Sequence, residues 1–357
     1  MSAEPLPPGS VIGILGGGQL GRMLSMAAAR LGLRCHIYDP APDCPAGHVA
    51  AAVTTAAWDD TDALDAFAQS VAVVTLEFEN VPLSTLRHLA ARRPVRPGAR
   101  ALETAQDRLV EKAFLNGIGL ATAPHAPVSS PADLPAALAV TGLPAIMKTR
   151  RMGYDGKGQR AVASAAEARA ALRALGTGCI LEGRVPFTAE ISVIGARGMD
   201  GRVACYDPGM NRHEGGILRR TTVPAPVPRG LAADAVLATG RILNALDYVG
   251  VIGVEFFVTP AGLLVNEFAP RVHNSGHWTL EACLVSQFEQ HIRAVAGWPI
   301  ADAARHSDAV MDNLIGAEAE DWARLAAEPG VALHLYGKSP ARPGRKMGHL
   351  TRLAPRG

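Results

Sequence analysis

Aromatic residues are scarce in this chain: 8 Phe, 5 Tyr and 4 Trp make up 5% of its 357 residues. So few rings argue against the stacking platforms on which proteins bind single-stranded nucleic acid. An excess of one charge is missing too. The 35 Lys and Arg against 33 Asp and Glu leave a formal +2, too little for a nucleic-acid-binding surface, and no dense Lys/Arg tract appears before the C-terminal tail. The five cysteines (Cys35, Cys44, Cys179, Cys205, Cys283) lie far apart without a Cys-x-x-Cys spacing. That fits a reducing cytosol better than a disulfide framework or a zinc site. No secretory leader, membrane-length apolar window or internal repeat is visible. The expectation is a cytoplasmic protein with neither nucleic acid nor membrane as partner. With 48% hydrophobic and 19% charged residues it should fold into two or three lobes.

What is present is chemistry-bearing. Gly253-Val-Glu-Phe-Phe-Val258, the turn Thr259-Pro-Ala-Gly262 and Leu263-Leu-Val-Asn-Glu-Phe-Ala-Pro-Arg271 read as a hairpin buried on at least one face. Folding about that turn brings Glu255 and Glu267 to within about one register step of each other. Two carboxylates in an apolar setting repel and lose hydration, an arrangement tolerated mainly with a cation between them. Oxygen ligands supplied in ones and twos, completed by phosphate oxygens, suit Mg²⁺, with Mn²⁺ as the alternative.

The first hundred residues alternate strand and helix. Val11–Leu15, Arg34–Tyr38 and Val71–Leu76 read as strands, with a helix from about Arg22 to Leu31, which predicts a parallel sheet. Gly16, Gly18 and Gly21 match Gly-x-Gly-x-x-Gly, and Asp39 stands where a ribose-binding acid sits in dinucleotide-binding folds. Alone this points to an NAD enzyme, but any phosphate-approaching turn needs those glycines, and so does a tight turn with no ligand. Arg92–Gly98 reads as a boundary before a helix near Ala101. Further on, Leu143–Lys148 reads as a strand with a lysine at its end. The loop Gly153–Gln159 follows, then a helix (Ser164–Leu175) and the strand Cys179–Glu182. Lys148 and the loop's backbone N–H groups can meet nucleotide phosphates. Standing alone, the loop reads equally well as a surface hairpin. Glu182–Val185 can hold an adenine edge or ribose hydroxyls, or be a polar strand end. Glu190 and His213, singly, read as a salt-bridge partner and a packed imidazole. Arg271-Val-His-Asn-Ser-Gly-His277, directly after the hairpin, offers a dense donor array for an anionic, hydroxylated substrate. A strand at Val331–Leu335 and the basic run Arg342–Lys346, with Lys338 nearby, close the chain; the run is a phosphate site or a solvated tail.

Together the segments Gly16-Gly-Gly-Gln-Leu-Gly-Arg-Met23, Leu76-Glu-Phe-Glu-Asn80, Gly153-Tyr-Asp-Gly-Lys-Gly-Gln159, Asn266-Glu-Phe-Ala-Pro-Arg-Val-His-Asn-Ser-Gly-His-Trp-Thr279 and Pro343-Gly-Arg-Lys-Met-Gly-His-Leu350 resemble the ATP-grasp superfamily. Within it they resemble the 5-(carboxyamino)imidazole ribonucleotide synthetases, in family order and over nearly the whole chain. The resemblance implies an α/β fold, α+β in its central part. It also implies an N-terminal Rossmann-like domain at 1–100, an ATP-grasp domain at 101–300 with a mobile lid at about 121–187, and a small C-terminal lobe at 301–357, shorter than is usual. It implies a homodimeric ligase of purine biosynthesis that carboxylates aminoimidazole ribonucleotide with ATP and bicarbonate through carboxyphosphate. The closest rivals are a ligase for another acid such as formate and a non-catalytic nucleotide-binding homologue.

By the same resemblance ATP is held by Arg108, Lys148, Gly153, Tyr154, Asp155, Gly156, Lys157, Gly158, Gln159, Glu182, Gly183, Arg184, Val185, Glu190, His213, Asn266 and Glu267. Mg²⁺ is carried by Glu255 and Glu267. The ribonucleotide and bicarbonate are lined by Gln19, Glu77, Tyr154, Asp155, Arg271, His273, Asn274, Ser275, Lys338, Arg345 and Lys346. Lys148, Asp155, Arg271 and His273 are expected to take part in the chemistry, Asp155 as a proton acceptor. The N-terminal glycines then serve the substrate side rather than NAD.

Overall fold

The structure, a computed structural model, describes residues 4–153, 156–176 and 178–357. Its strands form three sheets. The first contains β1 (Val11–Leu15), β2 (Arg34–Tyr38), β3 (Ala52–Thr54) and β4 (Val73–Leu76), all parallel, in the order β3-β2-β1-β4. The near-continuous, buried runs of β1 and β4 are what strands covered on both faces require. The following helix starts at Gln19 rather than near Arg22, because Gly18 takes the extended N-cap backbone. Gly13 of β1 lets Phe67 lie against the strand: a Cβ there would come within 2.6 Å of the ring.

Where one helix is expected near Ala101 there are two, Ala99–Ala105 and Arg108–Gly117. Asp107 makes the break, turning extended to cap the second helix, with its carboxylate accepting from the Leu109 N–H at 3.1 Å. The second sheet is antiparallel, β5 (His125–Val128), β6 (Ala145–Thr149), β7 (Gln159–Val162) and β8 (Cys179–Gly183), in the order β5-β8-β6-β7. The helices Leu134–Thr141 and Ala165–Leu175 contribute Leu134, Ala137, Ala168 and Leu172 to its core.

The third sheet has nine strands and positions the site. They are β9 (Ala189–Arg197), β10 (Val203–Cys205), β11 (Gly209–Glu214), β12 (Ile217–Val223), β13 (Gly250–Thr259), β14 (Gly262–Ala269), β15 (Ser307–Ile315), β16 (Val331–Leu335) and β17 (Lys346–Pro355). The order is β14-β13-β9-β11-β12-β15-β17-β16, with β10 on β9. The sheet therefore runs from the glutamate hairpin into the C-terminal strands without a break. The basic run Arg342–Lys346 leads into β17, whose Met347 and Leu350 are buried in the core. No helix among the described residues is long and apolar enough to cross a membrane.

Replacing Gly13 by Ala should force Phe67 out of its well-packed place and destabilise the chain by about 1–3 kcal/mol. A lowered denaturant midpoint checks this; an unchanged one contradicts the packing argument.

Candidate functional site

The hairpin forms as its sequence requires, with Glu255 of β13 directly opposite Glu267 of β14 and a register shift immediately after Glu255. The two carboxylates have different neighbours. Arg108 Nη1 donates to Glu267 Oε2 at 2.6 Å. Burial acts to raise the Glu267 pKa, but the Arg108 charge and hydrogen bond outweigh it and hold the group at about 2. Glu255 lies beside an imidazole instead, with His273 Nε2 at 3.5 Å. Burial, and then the Glu267 charge, push Glu255 up to about 7. A carboxyl raised by its own neighbour's charge is one a divalent cation would return to the ionised form. The donor set is all oxygen, which fits Mg²⁺.

A cationic wall stands behind the pair. Lys148 of β6 donates to Glu182 Oε2 of β8 at 2.9 Å, and Lys112 lies 3.5 Å from the same oxygen. Burial draws the Lys148 pKa down against the pull of Glu182. For Glu182, burial acts upward but Lys148 and Lys112 win, so it stays ionised. Its Oε1 is buried with no hydrogen-bond partner, so a donor group is still accommodated there. Glu111 Oε1 accepts from the Phe268 N–H at 2.7 Å, and Lys112 Nζ donates to the Asn266 carbonyl at 3.3 Å. The helix Arg108–Gly117 is thereby fixed to β14 beside the acids. Burial and then the Glu267 charge raise Glu111 to about 8.

The glycine loop lies over this wall. Gly158 (φ +72°) needs its missing side chain, since a Cβ would meet Thr149 Oγ1 at 2.6 Å. A Cβ on Gly153 would lie 3.4 Å from an Arg108 guanidinium nitrogen, and one on Gly156 3.1 Å from the Gly215 carbonyl. The loop so spans from the second sheet to the β11–β12 turn. Tyr154 and Asp155, expected among the nucleotide and substrate contacts, lie outside the described residues. Lys157 is exposed and Gln159 opens β7, paired with Lys148. Gly183 ends β8, with Arg184 and Val185 in the exit that follows. Glu190 of β9 and His213 of β11 hydrogen-bond to each other at 2.9 Å. Burial acts to lower the His213 pKa, but the Glu190 bond and the Glu255 charge raise it.

On the other side of Glu255 the loop Arg271–His277 is held in place by residues the sequence did not reveal. Gln287, wholly buried, accepts from the His273 N–H at 2.9 Å and donates to the His273 carbonyl at 2.7 Å. Asn313 exchanges two side-chain hydrogen bonds with Asn274, at 2.9 and 2.7 Å. Ser192 donates to Ser275 at 2.7 Å. Gly253 permits the loop's approach, because a Cβ there would meet His273 Cβ at 2.5 Å. Burial and then the Arg271 charge push His273 down to about 3, so its ring is neutral. The Ser275 N–H donates to its Nδ1 at 3.4 Å, which leaves the Nε2 proton facing Glu255. Arg271 Nη2 lies 2.8 Å from Glu79, an acid visible in the motif but not assigned a role from sequence. One cleft is lined by Glu79, Arg108, Glu255, Glu267, Arg271 and His273.

The remaining expected residues stand at the margins. Asn266 sits at the register shift, beside the paired glutamates. Lys346 opens β17, and its charge acts on Glu255, His213 and His273. Lys338 donates to the Lys346 carbonyl at 2.9 Å. Arg345 donates to the Ser339 and Pro340 carbonyls. In the N-terminal turn the Gly18 and Gly21 N–H groups donate to Glu77 at 2.9 and 3.2 Å, and the Gly17 N–H to Asp39 at 2.6 Å. Gln19 is the first residue of the helix that follows. The chain's own carboxylates take the amides that a dinucleotide pyrophosphate would need, which removes the NAD reading.

The raised carboxyls set a pH dependence. Folded Glu255 and Glu111 keep protons that the unfolded chain releases above 4.5, which on its own lowers stability as pH climbs from 4.5 to about 8. Below 6.5 this is opposed by His273, His277, His291 and His349, which burial keeps neutral while the unfolded imidazoles still hold protons. The stabilisation from depressed Glu267 is complete above 4.5 and adds no slope at higher pH. The thermal midpoint of nucleotide- and metal-free protein should therefore decline between about pH 6.5 and 8, and Glu111→Gln should flatten that decline. A midpoint that rises with pH over that interval would contradict the assignment.

The chain matches the ribonucleotide synthetase preATP-grasp domain over residues 10–106, the ATP-grasp domain over 113–288 and the phosphoribosylaminoimidazole carboxylase C-terminal domain over 309–356. It is 53% identical to the N5-carboxyaminoimidazole ribonucleotide synthase of Brucella melitensis, covering 100% of this chain and 99% of that one. A crystal structure of an N5-carboxyaminoimidazole ribonucleotide synthetase in complex with ADP superposes with a TM-score of 0.95 at 37% identity, covering 99% of this chain and 94% of that one. The Aspergillus clavatus synthase in complex with ADP and 5-aminoimidazole ribonucleotide superposes with a TM-score of 0.90 at 32% identity, covering 98% and 94%. The chain is thus an ATP-grasp ligase and belongs to the N5-carboxyaminoimidazole ribonucleotide synthase family.

Proposed function

We propose that the chain carboxylates the exocyclic amine of 5-aminoimidazole ribonucleotide, using ATP and bicarbonate and releasing ADP and phosphate, as a step of purine biosynthesis. The observation that carries this reading is the single cleft in which the Glu255–Glu267 pair lies between the cationic wall of Arg108, Lys112 and Lys148 and the donor loop Arg271–Ser275.

Bicarbonate is a poor electrophile and is activated by attack of one of its oxygens on the γ-phosphorus, in line with departing ADP. Arg108 and Lys148 lie beside the glutamate pair, where negative charge on the phosphates needs neutralising. Glu255 and Glu267 would hold Mg²⁺, which would supply further neutralisation of the phosphate charge. The resulting carboxyphosphate breaks down to phosphate and CO₂, and the substrate amine attacks that carbon, losing a proton. Asp155 is proposed to accept it. Arg271, His273, Asn274 and Ser275 orient the ribonucleotide together with Gln19, Glu77 and Tyr154, and Lys338, Arg345 and Lys346 bind its phosphate. Gly153–Gln159, Glu182–Val185, Glu190, His213 and Asn266 surround the nucleotide. The sheet β5–β8 acts as the lid over it and excludes water from the intermediate. The family resemblance supports a homodimer, and five free cysteines support a cytoplasmic setting.

ADP release should require both aminoimidazole ribonucleotide and bicarbonate. Glu267→Gln should lower kcat by at least about 100-fold, the order lost when charge stabilisation at a reacting phosphate is removed, with little change in melting temperature. ADP release that ignores bicarbonate, or substantial turnover by Glu267→Gln, would refute the reading.

A further inference from the structure

A second group of potential ligands lies behind the substrate loop. His334 of β16 and His349 of β17 are directly opposite in the antiparallel ladder, and Glu281 reaches them from the short helix Thr279–Ala282. Each of the three brings one ligand atom to within 4.8 Å of the others, the one such group of three among the described residues. Their hydrogen bonds are incomplete. Glu281 Oε1 is 2.7 Å from His334 Nε2, and His349 Nδ1 is 2.8 Å from the Tyr336 hydroxyl. Glu281 Oε2 and His349 Nε2 are buried with no partner, and His349 is wholly inaccessible. Buried polar atoms of this kind call for an occupant, a water or an ion.

We propose that Glu281, His334 and His349 form a binding site for a divalent transition-metal ion of the zinc class, separate from the Glu255–Glu267 pair. The donor chemistry selects the ion. Two imidazoles and one carboxylate suit zinc and its neighbours, whereas Mg²⁺ prefers the all-oxygen set of the hairpin. Tyr336 fills the role usual behind a ligating histidine, fixing Nδ1 so that Nε2 is the atom offered. Imidazole lone pairs lie in the ring plane, and the two rings are stacked, 4.5 Å apart and 6° from parallel. One ring must therefore turn to share an ion. His334, with 25% of its side chain exposed, has room to do so and gives an ion its route in. Exchanging the His334–Glu281 hydrogen bond for a shared metal would draw the three donors to the spacing set by metal bonds of about 2.0–2.2 Å. The ion would fasten β16 and β17 to the segment that follows Arg271–His277, a structural rather than catalytic role. The inference does not depend on the reaction.

The test uses the full chain, stripped with chelator, incubated with Zn²⁺ alone, desalted and assayed for bound metal. About one zinc per chain is expected in the wild type and in Glu267→Gln. His334→Gln and Glu281→Gln, both at partly exposed positions, should lose it, and Tyr336→Phe should weaken binding by about 10- to 100-fold. Co²⁺ substituted into wild-type protein should show a visible absorption band that excess Zn²⁺ abolishes, a readout that needs no variant. Overturning results are equally definite. No retained metal means that a water fills the gap, and zinc retained equally by folded His334→Gln and Glu281→Gln places it elsewhere.

Discussion

Two carboxylates of like charge, held opposite each other in one hairpin register, are the constraint around which the rest of the site is arranged. Left to themselves Glu255 and Glu267 would repel, and burial would make both reluctant to ionise. The chain settles the conflict asymmetrically, pairing Glu267 with Arg108, while Glu255 lies beside the neutral His273 imidazole and is acted on by the charges of His213 and Lys346. The helix that carries Arg108 must then lie along β14, which buries Glu111 and Lys112 as well. Lys112 in turn meets Glu182, the counter-ion of Lys148, and so ties the second sheet to the third. The other flank follows from the same hairpin: β14 runs straight into Arg271–His277, and Gly253 lets that loop fold back onto β13.

Much of this was legible because the signals are local. Alternating apolar residues around Thr259–Gly262 fix a register, so the meeting of Glu255 and Glu267 is legible in the sequence itself. Lys148, followed by glycines, identifies a strand and a loop that must bend tightly. The N-terminal glycines were legible as a turn, but their partner was not. Asp39 reads as a ribose acid, whereas in the fold it and Glu77 hydrogen-bond the turn's own amides. Glu77 is distant in sequence and becomes relevant only once β4 lies beside β1.

Other residues gave no signal. Glu111 and Lys112 look like an ordinary charged helix face, yet each is at most 2% exposed. Only the packing of their helix on β14 converts them into site residues. Gln287 and Asn313 are single amides whose importance lies in long-range bonds to His273 and Asn274. The basic run ahead of β17 was open between a phosphate site and a solvated tail; in the fold Arg342 is exposed, whereas Lys346 opens a strand whose Met347 and Leu350 are buried. Local charge says little about where the neighbouring apolar residues take the chain.

The bridge between Lys112 and Glu182 bears on motion. Lys112 is fixed to β14 through the Asn266 carbonyl, whereas Glu182 and Lys148 belong to the second sheet. Were that sheet to swing away as a unit, Glu182 would leave with Lys148 still attached, and Lys112 would lose that carboxylate. Opening would then be a charge separation as well as a hinge movement. A polyanion in the cleft would offset the loss by standing in for the departing carboxylate. The clasp would act as an electrostatic detent, tight over an empty cleft and looser over bound phosphates.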